Sequence, residues 1–449
     1  MTVSPGDGPV FGAVYGTDSM RAVMGERNLL AEMLAVEAAL ARAQATLGLI
    51  PAEAAAAITA QARVEMLDMP ALAAATRNTG FAVVGLVKQL SAAAGAEAGR
   101  WTHWGATTQD ILDTAFVLQL RAAFGLFATD LDALIAALAR LATTHRDTVM
   151  AGRTHAQQAL PITFGYKVAL WLDPLIAMRE RLAQLLPRVL RLQFGGAVGT
   201  LASLGIDGPK VATALGAELD LPVPAIPWHV GRDGVAEAAC WLGLLTGALA
   251  KIATDVMLLM QSEVAEVSEP HAPGRGGSST MPQKRNPIAC EYILAQARTV
   301  QALVPQALGA MAHDHERGAG PMQIEQLALP QMLLFAHGAL AQARLIAEGL
   351  VVDAPRMRRN LDASGGLIVA EAVMMGLAPL LGRGPAHDVV HHACDAALAE
   401  GVTLAETLAR ETLVTRHFDR DGIARLTDPA NYLGTAGAAT DAVVARALR

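Results

Sequence analysis

From about residue 111 to residue 312 the chain reads as a run of very long helices, and few folds can use them. The stretches 111–149, 162–193, 232–267 and 286–312 keep Ala and Leu at helical spacing. An ordinary globular helix has about 11–12 residues. Helices of this length must bury their apolar stripes against one another in a long bundle. Hydrophobic residues make up 53% of the chain but aromatic ones only 4%. Ala and Leu are strong helix formers, whereas sheets favour β-branched and aromatic side chains, so the expected fold is all-α. Shorter helices precede the bundle over 18–65, with Pro51 and Pro70 starting the next two, and helices shorten again after about 355. Three helical domains are expected: 1–110, a central long-helix bundle at 111–355, and a small C-terminal domain at 356–449.

The remaining composition mainly excludes. A net charge of -7, from 35 basic and 42 acidic residues, leaves no nucleic-acid footprint. Cys240, Cys290 and Cys394 are far apart and form no CxxC, which suits reduced thiols and a cytoplasmic location. The first residues lack a basic region followed by an apolar run, so no signal peptide is expected. Trp241–Met260 is the most membrane-like stretch, but it carries Lys251 and Asp255 and reads as a helix buried in a bundle, not in a membrane.

Chemistry concentrates in the irregular pieces. Residues 274–287 read Gly-Arg-Gly-Gly-Ser-Ser-Thr-Met-Pro-Gln-Lys-Arg-Asn-Pro, a loop between two long helices. Glycines let backbone amides approach an anion, Lys284 and Arg285 add positive charge, and Asn286 opens a helix whose N-terminus also favours an anion. Ser278 and Ser279 sit inside this environment as candidate proton acceptors. The Gly-x4-Gly-Lys-Ser/Thr spacing of a P-loop is absent. Gly99–Asp110 runs from a loop into a helix, and Ala151–His155 breaks another.

The segment Gly277–Pro287 resembles the signature loop of the fumarase/aspartase superfamily. Gly105-Ala106-Thr107-Thr108-Gln109-Asp110-Ile111-Leu112-Asp113-Thr114-Ala115 resembles its first conserved region, and Gly152-Arg153-Thr154-His155-Ala156-Gln157 its second. Leu192–Thr200, Pro227-Trp228-His229, Asp314-His315-Glu316-Arg317, Glu371–Met375 and Asp428–Gly434 are similar to the 3-carboxy-cis,cis-muconate cycloisomerase branch. The resemblance implies three helical domains and a homotetramer built through the central bundle, each active site drawing on three subunits. It implies no cofactor and no metal, and a small di- or tricarboxylate as substrate.

Residue by residue, Ser278 matches the catalytic base. Lys284 and Asn286 match the holders of the substrate carboxylate, with Ser279, Met281 and Arg285 beside them in the loop. Thr107, Thr108 and Gln109 match a polar loop that binds another part of the anion. His155 matches a histidine that binds substrate or handles a proton, Glu291 its carboxylate partner, and Gln261 a substrate contact. His103, next to the Thr107 loop, is either a second proton-handling group or a structural histidine.

The sequence departs from the branch at informative places. Cycloisomerases of this kind usually have tryptophan at His155, lack the carboxylate at Glu291, and have histidine at Gln283. A carboxylate leaving group, with a pKa near ~4, departs unprotonated, whereas an amine or alkoxide profits from an acid. A His155–Glu291 pair could supply one, so a C–N or C–O lyase releasing fumarate from a succinyl adduct is the alternative reading. Asn78, the expected match to a histidine of adenylosuccinate lyases, weakens that particular assignment. His387, His391 and His392 share a helix and His313-Asp314-His315-Glu316 is ligand-like, but both are read as non-metal. Gly195-Gly196-Ala197-Val198-Gly199 lacks the GxGxxG spacing and is read as a bend near the site. Superfamily members turned structural proteins would have dispensed with the loop serine or lysine, and both are present here.

Overall fold

The computed structural model describes residues 4–272, 274, 276–277, 280–281 and 283–449. The elements used below are α1 (Glu26–Thr46), α2 (Met69–Thr79), α3 (Ala82–Ala94) and α4 (Thr108–Thr144), then β1 (Val149–Thr154) and β2 (Gln157–Thr163). They continue with α5 (Phe164–Val189), α6 (Asp233–Met260), α7 (Ile288–Gly309) and α8 (Pro321–Gly349). Shorter helices follow, among them α9 (Ala370–Leu381) and α10 (Arg383–Glu400).

The chain divides into two compact units. One comprises Met1–Leu131, Met178–Leu249 and Tyr292–Ala341. Its core is aromatic where α4 meets α6: the rings of Phe124 and Phe127 stand edge-on to Trp241 at 5.7 and 5.4 Å, an arrangement that adds to simple burial. Trp241 directs its indole N–H to the Met178 carbonyl at 3.1 Å. His337 completes this core, edge-on to Phe127 at 5.1 Å and hydrogen-bonded to the Thr17 hydroxyl.

The second unit comprises Asp132–Ala177, Ala250–Glu291 and Gln342–Arg449. Phe164 and Trp171 are buried on α5, and Trp171 donates to Asp255 of α6 at 2.7 Å. Toward the C-terminus, Val373 and Leu377 of α9 pack with Val390 and Ala393 of α10 and with Leu404 and Leu408.

The helix expected to end at a break near 151 stops at Thr144, and the break is an antiparallel hairpin, β1 against β2. Ala151 of this hairpin packs with Leu361, Ile368 and Val369. A further long helix, α8, was not anticipated; Pro321 opens it and Pro330 lies inside it. By length and apolar composition α4 and α6 could each cross a membrane. Yet α4 buries Asp110, Asp113, Thr114 and Gln119, and α6 buries Thr246. A helix bundle can satisfy such groups; lipid cannot.

Candidate active site

In the first unit the Thr107–Gln109 loop is organised by the residue after it. Asp110, at the start of α4 and 1% exposed, accepts four hydrogen bonds. Oδ2 receives the amides of Thr107 and Gly196 at 3.0 and 2.9 Å, and Oδ1 receives the amide of Gly195 at 2.9 Å and His229 Nε2 at 2.8 Å. A buried carboxylate is tolerated when donors surround it in this way. Gly196 takes φ +69, a left-handed turn that suits glycine. The bend at 195–199 and the Pro227-Trp228-His229 segment therefore hold one aspartate, and through it the loop.

Thr107 and Thr108 are half-buried, but Gln109 is not available in the same way. It is 4% exposed, and its amide donates to Asp113 at 3.0 Å and to the His229 carbonyl at 2.9 Å. Arg317 donates to the Thr107 hydroxyl at 2.7 Å. That bond occupies an oxygen lone pair and leaves the hydroxyl proton to point elsewhere. Arg317 lies in a quoted sequence block, yet nothing in the pattern linked it to Thr107.

His103 has a partner that the sequence did not suggest. Its Nδ1 donates to Glu37 of α1 at 2.6 Å. The Glu37 side chain is fully buried, and its second oxygen has no hydrogen-bond partner. Burial of the ring opposes its charged form. The Glu37 hydrogen bond and the charges of Glu37 and Asp110 outweigh it, so the His103 pKa rises above its ordinary value. Its backbone is left-handed, φ +60, as it is at His155 and His315.

In the second unit, His155 and Ala156 form the two-residue loop of the β1–β2 hairpin, at φ +49 and +63. Such loops normally carry Asn-Gly because both positions are left-handed, so an exposed histidine is held here at a conformational cost. A register shift falls between Ala151 and Arg153. Arg153 makes a two-pronged bond to the buried Glu266, at 2.9 and 2.6 Å, and Asn360 donates to the same carboxylate at 2.9 Å. Gln261, just past α6, is exposed.

The glycine-rich loop is pinned at its base. Gly277 and Arg285 pair as an antiparallel bridge, and the Asn286 amide donates to the Gly276 carbonyl at 2.9 Å. Glu269 receives the amides of Ala289 and Cys290 at 3.1 and 2.9 Å, a carboxylate at the N-terminus of α7. Burial and the neighbouring Glu269 charge push the Cys290 thiol well above its ordinary value, so it stays protonated. Met281, Lys284 and Arg285 are exposed and Asn286 is half-buried. Ser278 and Ser279 lie outside the described residues. Glu291 is exposed in the first turn of α7 and, among the described residues, makes no side-chain bond to His155 within the chain.

No group of three or more His, Cys, Asp or Glu among the described residues is placed to hold a metal ion. His391 and His392 face separate carboxylates, Asp395 at 3.0 Å and Glu411 at 2.7 Å. His313 has both ring nitrogens shielded and without hydrogen-bond partners.

The model of the lyase family matches residues 13–302, and that of the adenylosuccinate lyase C-terminus matches residues 366–443. The chain is 47% identical over 436 residues to 3-carboxy-cis,cis-muconate cycloisomerase of Bradyrhizobium diazoefficiens, covering 96% of this chain and 97% of the relative. It is 42% identical over 449 residues to nitrosuccinate lyase of Streptomyces davaonensis, covering 98% and 94%. The crystal structure of 3-carboxy-cis,cis-muconate lactonizing enzyme from Pseudomonas putida superimposes with a TM-score of 0.95 at 43% identity, over 98% of this chain and 99% of that one.

Proposed function

Because the chain belongs to the fumarate lyase superfamily, we propose that it is an enzyme of the 3-carboxy-cis,cis-muconate cycloisomerase branch that forms or breaks a bond β to a carboxylate. The observation that carries this is the loop 276–286, closed at its base by the Gly277–Arg285 bridge, with Lys284 exposed beside it.

In the bond-breaking direction, Ser278 takes the proton from the carbon next to a substrate carboxylate. The C–H electron pair enters that carboxylate as a dianion, the β bond then breaks, and its electrons leave with the departing group. A positioned base contributes roughly 10²–10⁴-fold, and whole enzymes reach about 10⁶-fold or more. Electrostatic stabilisation of the dianion must supply most of the difference. We assign it to Lys284, Asn286 and the loop amides, with Ser279, Met281 and Arg285 lining the same anion. Thr107 and Thr108 bind another part of the substrate, while Gln109 positions their loop. Gln261 and His103 are further contacts. Four copies would associate, each site combining residues of three.

A second reading, a C–N or C–O lyase releasing fumarate, is favoured by His155 and Glu291. A histidine held by a carboxylate can protonate a poor leaving group. Neither side chain has a hydrogen-bond or ion-pair partner within the chain among the described residues. Both remain available to meet in an assembly.

Ultraviolet absorbance distinguishes the two: one cuvette holds 3-carboxymuconate, the other fumarate with a panel of amines. Lactonisation without amine addition sinks the lyase reading. Ser278→Ala should lower kcat about 10²–10⁴-fold, and parental activity in that variant would remove Ser278 as base.

A further inference from the structure

Glu37 has no part in the chemistry assigned to Ser278 and Lys284, yet it is fully buried in α1 and grips the approach to the Thr107 loop. One of its oxygens meets His103 Nδ1 at 2.6 Å, and the other has no partner. Gln44, also buried on α1, donates to the Trp104 carbonyl at 2.6 Å. Two buried polar side chains of one helix therefore hold consecutive residues of the loop. The His103 carbonyl in turn accepts the Ala106 amide at 3.3 Å, which closes a turn just before Thr107.

The two ring nitrogens of His103 face different surroundings. Nδ1 is committed to Glu37, whereas Nε2 bonds to nothing among the described residues, and the side chain is 21% exposed. With the proton on Nδ1, a neutral ring turns a lone pair outward at Nε2 and repels a carboxylate. A charged ring turns an N–H outward and attracts one. Neighbouring charges decide between the two. Burial opposes the charged ring, but Glu37 of α1, by hydrogen bond and charge, and Asp110 of α4, by charge, outweigh it. The nearby cations are engaged elsewhere: Arg100 on Glu97 at 2.9 Å and Arg317 on the Thr107 hydroxyl at 2.7 Å. Ser203 and Leu204, which lie against Gly105, are uncharged.

We propose that Glu37 is a positioning residue of the substrate site: it holds His103 as an imidazolium whose Nε2 donates to a substrate carboxylate beside Thr107. The proposal rests on the reading of the chain as an enzyme acting on carboxylates. It deepens that reading by giving the His103 contact a charge and naming the residue that sets it.

Calorimetric titration of the full-length protein with fumarate and with tricarballylate, between pH ~6.5 and ~9, tests it. In the parent, affinity should fall about tenfold as pH climbs through the raised His103 value, because a charge-assisted hydrogen bond is lost. Glu37→Gln keeps an acceptor for Nδ1 but removes the charge, so the same fall should come at lower pH. Glu37→Asp, which restores the charge, should return it toward the parental position. His103→Gln should abolish the step and bind weakly at every pH. Helical circular dichroism separates each of these effects from unfolding.

A step that stays in place in Glu37→Gln, even with weaker binding throughout, makes Glu37 merely structural and overturns the proposal. A step that persists in His103→Gln belongs to another group and overturns the contact. Binding of either anion without a step in the parent overturns the imidazolium and leaves the enzymatic reading standing. Binding of neither removes that reading and the proposal together.

Discussion

At the scale of single residues, Glu37 and His103 show what a linear pattern cannot carry. His103 is conspicuous beside Thr107, but its partner lies 66 residues earlier in an Ala- and Leu-rich helix, where one buried glutamate looks like any helical glutamate. Gln109 illustrates the opposite case. It stands in the expected polar block, yet its place in the first turn of α4 directs it inward, and only the fold decides which neighbour faces a ligand. The His103 pKa is raised on folding. Its contribution to stability is therefore complete below the unfolded value of about 6.5 and is lost as pH climbs through the higher folded value. Glu37→Gln should narrow that advantage. Denaturant titrations should show the gap between parent and variant widest below pH ~6.5 and shrinking above it. A gap independent of pH would dissolve the charged pair.

Among the elements, the long helices were legible because period and length both point one way. Their ends agree to within a few residues for α5 and α7, whereas α6 starts as expected but stops at Met260, short of the expected 267. The hairpin was not, because Val149–Thr163 offers few aromatic residues and no Asn-Gly turn, so it read as a helix break. Helix α8 was obscured by Pro330, which the sequence alone treats as an interruption. The hairpin holds its tip through Arg153 and Glu266. Glu266→Gln should therefore cost 1–3 orders of magnitude in kcat, about 1.4 kcal/mol of barrier per tenfold, with little change in KM. A parallel loss of helical circular dichroism would mean general unfolding, not a misplaced His155. Ala156→Gly relieves a left-handed alanine worth about 1–2 kcal/mol, so this variant should melt higher while turning over more slowly. A rise in both would show the turn's strain to be incidental.

For the molecule as a whole, the three blocks that suggested function fall in different compact units: Thr107 in the first, His155 and Lys284 in the second. The sequence shows that such blocks exist but carries no sign of whether copies share them, since a contact between chains has no spacing along either one. If each site combines copies, mixing His155→Ala with Ser278→Ala protein should recover turnover that neither has alone, after dissociation and reassembly in a common solution. Silence of every mixture would return each site to a single chain. Leu244 and Leu258 of α6 are 57% and 52% exposed on one copy, an apolar face that association would cover. A newly made chain would then be mute until it met its companions. Turnover recovered from dilute, separated chains should appear only after a delay, and that delay should shorten as more chains crowd the same volume.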